Sequence, residues 1–194
     1  DPEVHHRKSI RLRGYDYSGP DRYFVTICAQ DKDCLFGGIA SGQIELNDYG
    51  RIVETVWNEL SSQFPLVELD KFVVMPNHFH AIAIIVDPRA KLVGAGFPRP
   101  DSESKMLSGE NPPLRTLGDV IRWFKYESTK RINELRGTAG RRIWQRNYYE
   151  HIILSDKSYW RILEYIADNP KNWVKDKLHP KSCWQANNLS GSIE

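Results

Sequence analysis

The stretch that most constrains the fold is FVVMPNHFHAIAIIV, residues 72–86, the most apolar run in the chain, with His78 and His80 inside it. Side chains alternate across a strand, so His78 and His80 leave one face while Phe79 leaves the other. Their β-carbons then lie roughly 6–7 Å apart, close enough for both imidazoles to converge on one metal ion. Polar groups on an apolar central strand need partners, because a buried unpaired group is costly. Taken alone, the pair reads most simply as two satisfied histidines at a strand end, so the remaining chain has to decide.

The chain has 194 residues and 40% hydrophobic content, enough for one domain with a core plus extensions. It contains no run of 18 apolar residues and begins polar and charged, which argues against a membrane span or a secretory signal. Cys28, Cys34 and Cys183 show no CxxC spacing, a usage expected of reduced thiols in a cytoplasmic protein. The net charge of +2 is unevenly distributed. Arg7, Lys8, Arg11 and Arg13 form a short run without an acid, and from Arg115 to Lys181 there are 15 basic against 8 acidic residues. By charge alone this asymmetry fits a solvated charged face as well as a basic surface for a polyanion; the bases interleaved with several of the 6 Trp and 9 Tyr lean toward nucleic acid, whose unpaired bases stack on aromatic rings.

Read in order, residues 1–22 form a basic arm. Residues 23–29 are β-branched and aromatic and predict a strand. Residues 35–39 and 43–46, split by Ser41-Gly42, predict a hairpin. Asn47 is placed to cap a helix reaching about Ser62, with Ile52, Val53, Val56, Trp57 and Leu60 as its apolar stripe. Strands are expected at 67–74 and 78–86, joined by the Met75-Pro76-Asn77 turn. Residues 87–115 are rich in Pro, Gly and Ser, lack periodicity, and predict a mobile loop. Thr116 is placed to cap a helix from Leu117 to about Leu135, ended by Gly137 and Gly140. Short strand-like pieces follow at 143–144 and 151–154. Ser155 is placed to cap a helix from about Asp156 to Asp168, halted by Asn169-Pro170. Residues 179–194 form a weakly patterned tail. The order predicts an α+β, ferredoxin-like or RRM-like βαββαβ antiparallel sheet, with helices on one face and an added C-terminal helix. The domain itself is expected over 23–178.

That last helix carries Tyr165 and Asn169, four residues apart and so on one face. Neither is distinctive alone: a tyrosine commonly packs, and Asn before Pro commonly ends a helix. The ordered set is more specific. Pro76-Asn77-His78-Phe79-His80 followed by Tyr165-Ile166-Ala167-Asp168-Asn169-Pro170 resembles the single-tyrosine HUH transposases, in particular the REP-associated tyrosine transposases. Tyr23-Phe24-Val25-Thr26, Phe72-Val73-Val74-Met75-Pro76 and the segment from Trp144 to His151 support the likeness, which runs from about Arg11 to Lys177.

The resemblance implies a DNA strand transferase acting on single-stranded or hairpin DNA of the REP-like palindrome type. His78 and His80 would bind a divalent cation, Mg²⁺ or Mn²⁺, with Asn169 at the position of an amide ligand. Tyr165 would be the nucleophile that forms a covalent 5′-phosphotyrosine and leaves a free 3′ hydroxyl. Such a site suits the residue types, since phosphoryl transfer to a phenol needs charge screening and an in-line arrangement. The arm with Arg7, Lys8, Arg11 and Arg13 is expected on DNA, as are Arg122, Lys125, Tyr126 and Arg146. Tyr126 is the rival nucleophile, and His151 a residue that a strand could bring near the site. Relatives include monomers and homodimers that exchange the tyrosine helix, so both states stay open. Two other readings share these features: a module that holds single-stranded nucleic acid without cutting it, and a replication-initiator or relaxase-type nickase.

Overall fold

The computed structural model describes residues 21–86 and 116–180. Four strands make the main sheet: β1 (Asp21–Cys28), β4 (Val67–Met75), β5 (His78–Ile85) and β6 (Tyr149–Ile152). Their spatial order is β4-β5-β1-β6, and every neighbouring pair is antiparallel. A separate hairpin of β2 (Gly37–Ala40) and β3 (Gln43–Leu46) follows β1. The helices are α1 (Asp48–Asn58), the short α2 (Leu60–Gln63), α3 (Leu117–Leu135) and α4 (Asp156–Asp168). This is the ferredoxin-like βαββαβ arrangement that the element order predicts, with α4 added at its end. No helix among the described residues is long and apolar enough to cross a membrane.

Local chemistry explains the element ends. Asn47 accepts from the Gly50 amide, Ser155 from the Ser158 amide, and Thr116 forms a reciprocal capping box with Asp119. Ser41 (φ 51°) and Gly42 (φ 76°) both take positive φ, as a two-residue hairpin turn requires. The helix expected over 48–62 is present as α1 continued by α2. β1 begins at Asp21, two residues early, because β5 runs far enough to pair Ile85 with Asp21 and Ile84 with Arg22. The strand expected at 151–154 lies at 149–152, where its register against Thr26–Tyr23 leaves Ile153 just beyond the ladder. Residues 143–144 contribute only an isolated bridge, Trp144 to Ala29. Cys28 is free but Cys34 is disulfide-bonded, so the expectation of three reduced thiols is corrected. The expected loop 87–115, the tail beyond residue 180, and Arg7, Lys8, Arg11 and Arg13 lie outside the described residues.

Alternation divides the sheet into two chemically different faces. One buries Tyr23, Val25, Ile27, Val74, Phe79, Ala81 and Ala83 against Val53, Val56 and Trp57 of α1 and Val120, Ile121 and Phe124 of α3. Phe124 lies at its centre, with ring centroids 5.3 Å from Trp57, 5.1 Å from Phe79 and 5.6 Å from Trp144. The other face carries Phe24, Ile82 and Val73, and receives Ile162, Leu163 and Ile166 of α4. Thus α1 and α3 cover one face, and α4 covers part of the opposite one.

An extra residue in β4 between Leu69 and Phe72 breaks the ladder and turns Asp70 toward α4. There Tyr159 donates to Asp70 Oδ2 at 2.5 Å, and the Arg22 guanidinium lies 4.9 Å over the Tyr159 ring. Apolar packing and this bond together set the position of α4 along the sheet. Replacing Phe124 with Ala leaves a cavity among three aromatic rings and is expected to cost about 3–5 kcal/mol. Urea denaturation would measure it as a lower midpoint at unchanged slope.

Candidate metal and tyrosine site

His78 and His80 both lie on the α4 side of β5 and are buried there. Their ring centroids are 4.5 Å apart. Asn77, in the preceding turn, fixes how His78 is presented. Its amide nitrogen donates to the carbonyls of Lys32 (3.1 Å) and Leu178 (2.7 Å), which only a donor can satisfy. Its Oδ1 therefore faces His78 Nδ1 at 2.8 Å, and that nitrogen must carry the hydrogen. Nε2 is left as a bare lone pair, buried and without a hydrogen-bond partner. His80 Nδ1 lies 2.8 Å from the Thr26 hydroxyl, a contact compatible with the same tautomer.

Three further groups close around Nε2 of the two rings. The Tyr165 hydroxyl stands 3.2 Å from His80 Nε2, and the Tyr165 ring meets Phe24 edge-on at 6.0 Å. Asn169, one helical turn later and also buried, donates through Nδ2 to Asp176 Oδ2 at 3.2 Å, while its own Oδ1 is buried without a partner. Asp176 Oδ2 lies 4.0 Å from His78 Nε2, and its Oδ1 accepts from the Leu178 amide at 2.6 Å. Ligand atoms of His78, His80 and Asp176 all lie within 4.8 Å of one another.

Two orphaned buried atoms and a carboxylate around one point are what a cation would satisfy, so the donor set fits a divalent metal. Two imidazole nitrogens combined with carboxylate and amide oxygens suit Mn²⁺ better than Mg²⁺, which prefers oxygen alone. Asp176 is absent from the sequence reading. Nothing in Trp173-Val174-Lys175-Asp176-Lys177 marks one acid among lysines as special. It arrives because Trp173 is buried with its ring 5.9 Å from His78, which folds the chain after α4 back beneath β5.

The electrostatics favour neutral ligands. Burial lowers His78 to about 4, offset in part by the Asp176 charge and the adjacent Asn169 amide. Burial, then the His78 charge, holds His80 well below the ordinary imidazole value. Burial, then Asp176, raises the Tyr165 phenol, while the Asn169 amide acts in the opposite direction. The hydroxyl is therefore protonated in the metal-free state, and Tyr165 is 46% exposed, open to a solvent-borne substrate.

The other sequence candidates lie elsewhere. Tyr126 sits on α3, which packs on the face of the sheet opposite the histidines, and is 66% exposed. Tyr126, Lys125 and Arg146 line a cleft of about 610 Å³, together with Lys130, Arg141 and Arg142. Lys125 is not a free surface charge. Its ammonium donates to the carbonyls of Gln145, Arg146 and Asn147, and burial lowers it to about 8. Arg122 is exposed beside Asp119, 2.8 Å away.

No protein-family model matches this chain. An uncharacterized protein of Haemophilus influenzae is 40% identical over 176 residues, covering 91% of this chain and 94% of its own. The solved structure of a REP-associated tyrosine transposase bound to a REP hairpin shares the fold. Its TM-score is 0.51 at 20% identity, covering 86% of this chain and 76% of that one. A Deinococcus radiodurans R1 protein provisionally described as a transposase gives a TM-score of 0.43 at 15% identity, covering 81% and 95%, and carries no weight here.

The lowered His78 value has a stability consequence. The unfolded chain binds this proton near pH 6.5 and the folded chain only near 4, so stability of the metal-free protein falls as pH drops through that window. Denaturation in EDTA at pH 7 and pH 4.5 should show wild type losing correspondingly more stability than His78→Gln.

Proposed function

We propose that this chain, which belongs to one family with the uncharacterized Haemophilus influenzae protein, is a metal-dependent DNA strand transferase of the single-tyrosine HUH type. The observation that carries this reading is the 3.2 Å approach of the Tyr165 hydroxyl to His80 Nε2, beside the orphaned Nε2 of His78. The proposed nucleophile and the candidate cation-binding cluster lie side by side, although they come from strand and helix positions 85 residues apart.

His78, His80 and Asp176 would hold the cation, with Asn169 Oδ1 as a fourth donor. A bound divalent ion would supply positive charge that screens the phosphodiester, polarises its scissile oxygen and favours the phenolate. Inclusion of Asp176 leaves that ion less net charge than a site of two imidazoles and an amide. The Tyr165 phenol gives up its proton to solvent and Oη attacks phosphorus, the new Oη–P bond forms as the P–O3′ bond breaks, and the 3′ oxygen leaves and takes up a proton from solvent. The product is a 5′-phosphotyrosine and a free 3′ hydroxyl. Attack by another 3′ hydroxyl on that phosphotyrosine rejoins DNA without a nucleotide cofactor, because the phosphodiester energy is retained. The packing of α4 by Ile162, Leu163 and Ile166, with the Tyr159–Asp70 bond, holds the nucleophile in place.

The substrate we assign is single-stranded or hairpin DNA of the REP-like palindrome type. The cleft lined by Tyr126, Lys130, Arg141, Arg142 and Arg146 offers the cationic surface for its phosphates. Arg7, Lys8, Arg11 and Arg13 are assigned to DNA from their charge alone.

Incubation with labelled hairpin DNA and Mn²⁺ should give a species of reduced mobility that survives SDS. EDTA or Tyr165→Phe should abolish it, and His78→Ala should reduce it at least 100-fold. Tyr126→Phe should keep most of it, since Tyr126 lies across the sheet from the histidines. An adduct that persists in Tyr165→Phe would remove the assignment, and tight binding without cleavage over many hairpins would favour a non-cleaving module.

A further inference from the structure

The face that carries the histidines is only half covered. α4 lies over β4 and β5, with Tyr159 on Asp70 and its apolar stripe on Val73, Ile82, Ile84, Phe24 and Ile153. The edge strand β6 has the burial pattern exposed, buried, exposed, buried. Glu150 and Ile152 turn toward the α1/α3 side, whereas Tyr149 and His151 turn toward the α4 side and are exposed there.

The register fixes where these two rings stand. Thr26 of β1 pairs with His80 on one side and Tyr149 on the other. Phe24 pairs with Ile82 on one side and His151 on the other. Thr26 is also the hydrogen-bond partner of His80, and Phe24 is the ring that meets Tyr165 edge-on. Tyr149 and His151 are therefore next neighbours of the two residues that floor the tyrosine site. At the usual strand spacing, Tyr149 lies about 10 Å from His80 across the sheet. Tyr149 is 47% exposed and belongs to neither apolar cluster. The approach to β6 is held by Lys125, which binds three consecutive carbonyls just before it and lies 5.5 Å over the Tyr148 ring. Tyr149 and His151 are thus exposed rings on the sheet face that also carries Phe24 and His80, the two ring neighbours of Tyr165.

From this we infer that Tyr149, with His151 beside it, is a stacking platform for an unpaired base next to the scissile phosphate. Its occupant is single-stranded DNA. A sheet face with exposed aromatic rings takes splayed bases by stacking, tolerant of sequence because every base offers a π face. The platform would place the strand across β1, so that the phosphate following the stacked base meets Tyr165. Tyr149 is in this account a positioning residue that does not touch the reacting atoms. The inference rests on the assignment of DNA as substrate but not on cleavage.

The test uses the full chain carrying Tyr165→Phe, with fluorescein-labelled oligothymidylate of twelve nucleotides followed by anisotropy. Adding Tyr149→Ala should weaken binding about tenfold, the change that loss of one base stack brings. Adding Tyr149→Phe should leave it within about twofold, because stacking needs the ring and not the hydroxyl. Irradiation of the same oligonucleotide containing 5-iododeoxyuridine should crosslink to Tyr149 or His151, read by mass spectrometry. Unchanged affinity in Tyr149→Ala, equal losses in Ala and Phe variants, or crosslinks only elsewhere would overturn the platform. So would a changed oligomeric state in Tyr149→Ala at unaltered DNA affinity, which would give this face to a second copy of the chain. The two assignments fail separately: a crosslink on Tyr149 without any covalent adduct in wild type keeps the platform and removes the transferase, and the reverse result removes only the platform.

Discussion

The strict two-residue period of β5 is the constraint on which the rest depends. Phe79 must enter the core between Trp57 and Phe124, and that commits His78 and His80 to the opposite face. A slip of one residue would bury the two imidazoles in an aromatic core and expose Phe79. The core therefore selects the register, and the register delivers two imidazoles to one point. What the core does not settle is which nitrogen of each ring faces that point. Asn77 and Thr26 do so by engaging Nδ1. Asn77 is also tied to the carbonyls of Lys32 and Leu178, so loop, turn and C-terminal segment meet on a single carboxamide.

The second element of the site arrives by a different physical route. α4 is an amphipathic helix with one apolar stripe, and the stripe has only the uncovered sheet face on which to lie. Ile162, Leu163 and Ile166 fix its rotation, and the Tyr159–Asp70 bond fixes its translation. Tyr165 then projects beside His80, half-exposed, and Asn169 follows one turn later, buried. The bulge that aims Asp70 at α4 illustrates how a strand irregularity can help to place Tyr165, 95 residues away in sequence.

Much of this was legible in the sequence because it is local. The caps at Asn47, Thr116 and Ser155, the Ser41-Gly42 turn and the alternation of β5 each depend on residues a few positions apart. The ordered pairing of His78-Phe79-His80 with Tyr165 and Asn169 was legible through resemblance, since neither motif is specific alone. Asp176 was not legible. Its meaning depends on Trp173 finding a place under His78 and on a contact spanning 98 residues, which no local pattern encodes. The position of β6 was missed for a related reason. The apolar residues Ile153 and Leu154 suggested a later strand, but the ladder with β1 decides, and Ile153 is claimed by α4. Lys125, expected on DNA from its charge, also holds three successive carbonyls just before β6, a structural role that no local pattern encodes.

The central claim is that Tyr165, and no other tyrosine, becomes bonded to DNA phosphate. Peptide mapping after reaction with hairpin DNA and Mn²⁺, nuclease trimming and trypsin digestion tests this directly. The account predicts a nucleotide mass on the tryptic peptide 162–171, localised by fragmentation to Tyr165. A nucleotide on 126–130, which holds Tyr126, or on 147–157, which holds Tyr148 and Tyr149, would contradict it.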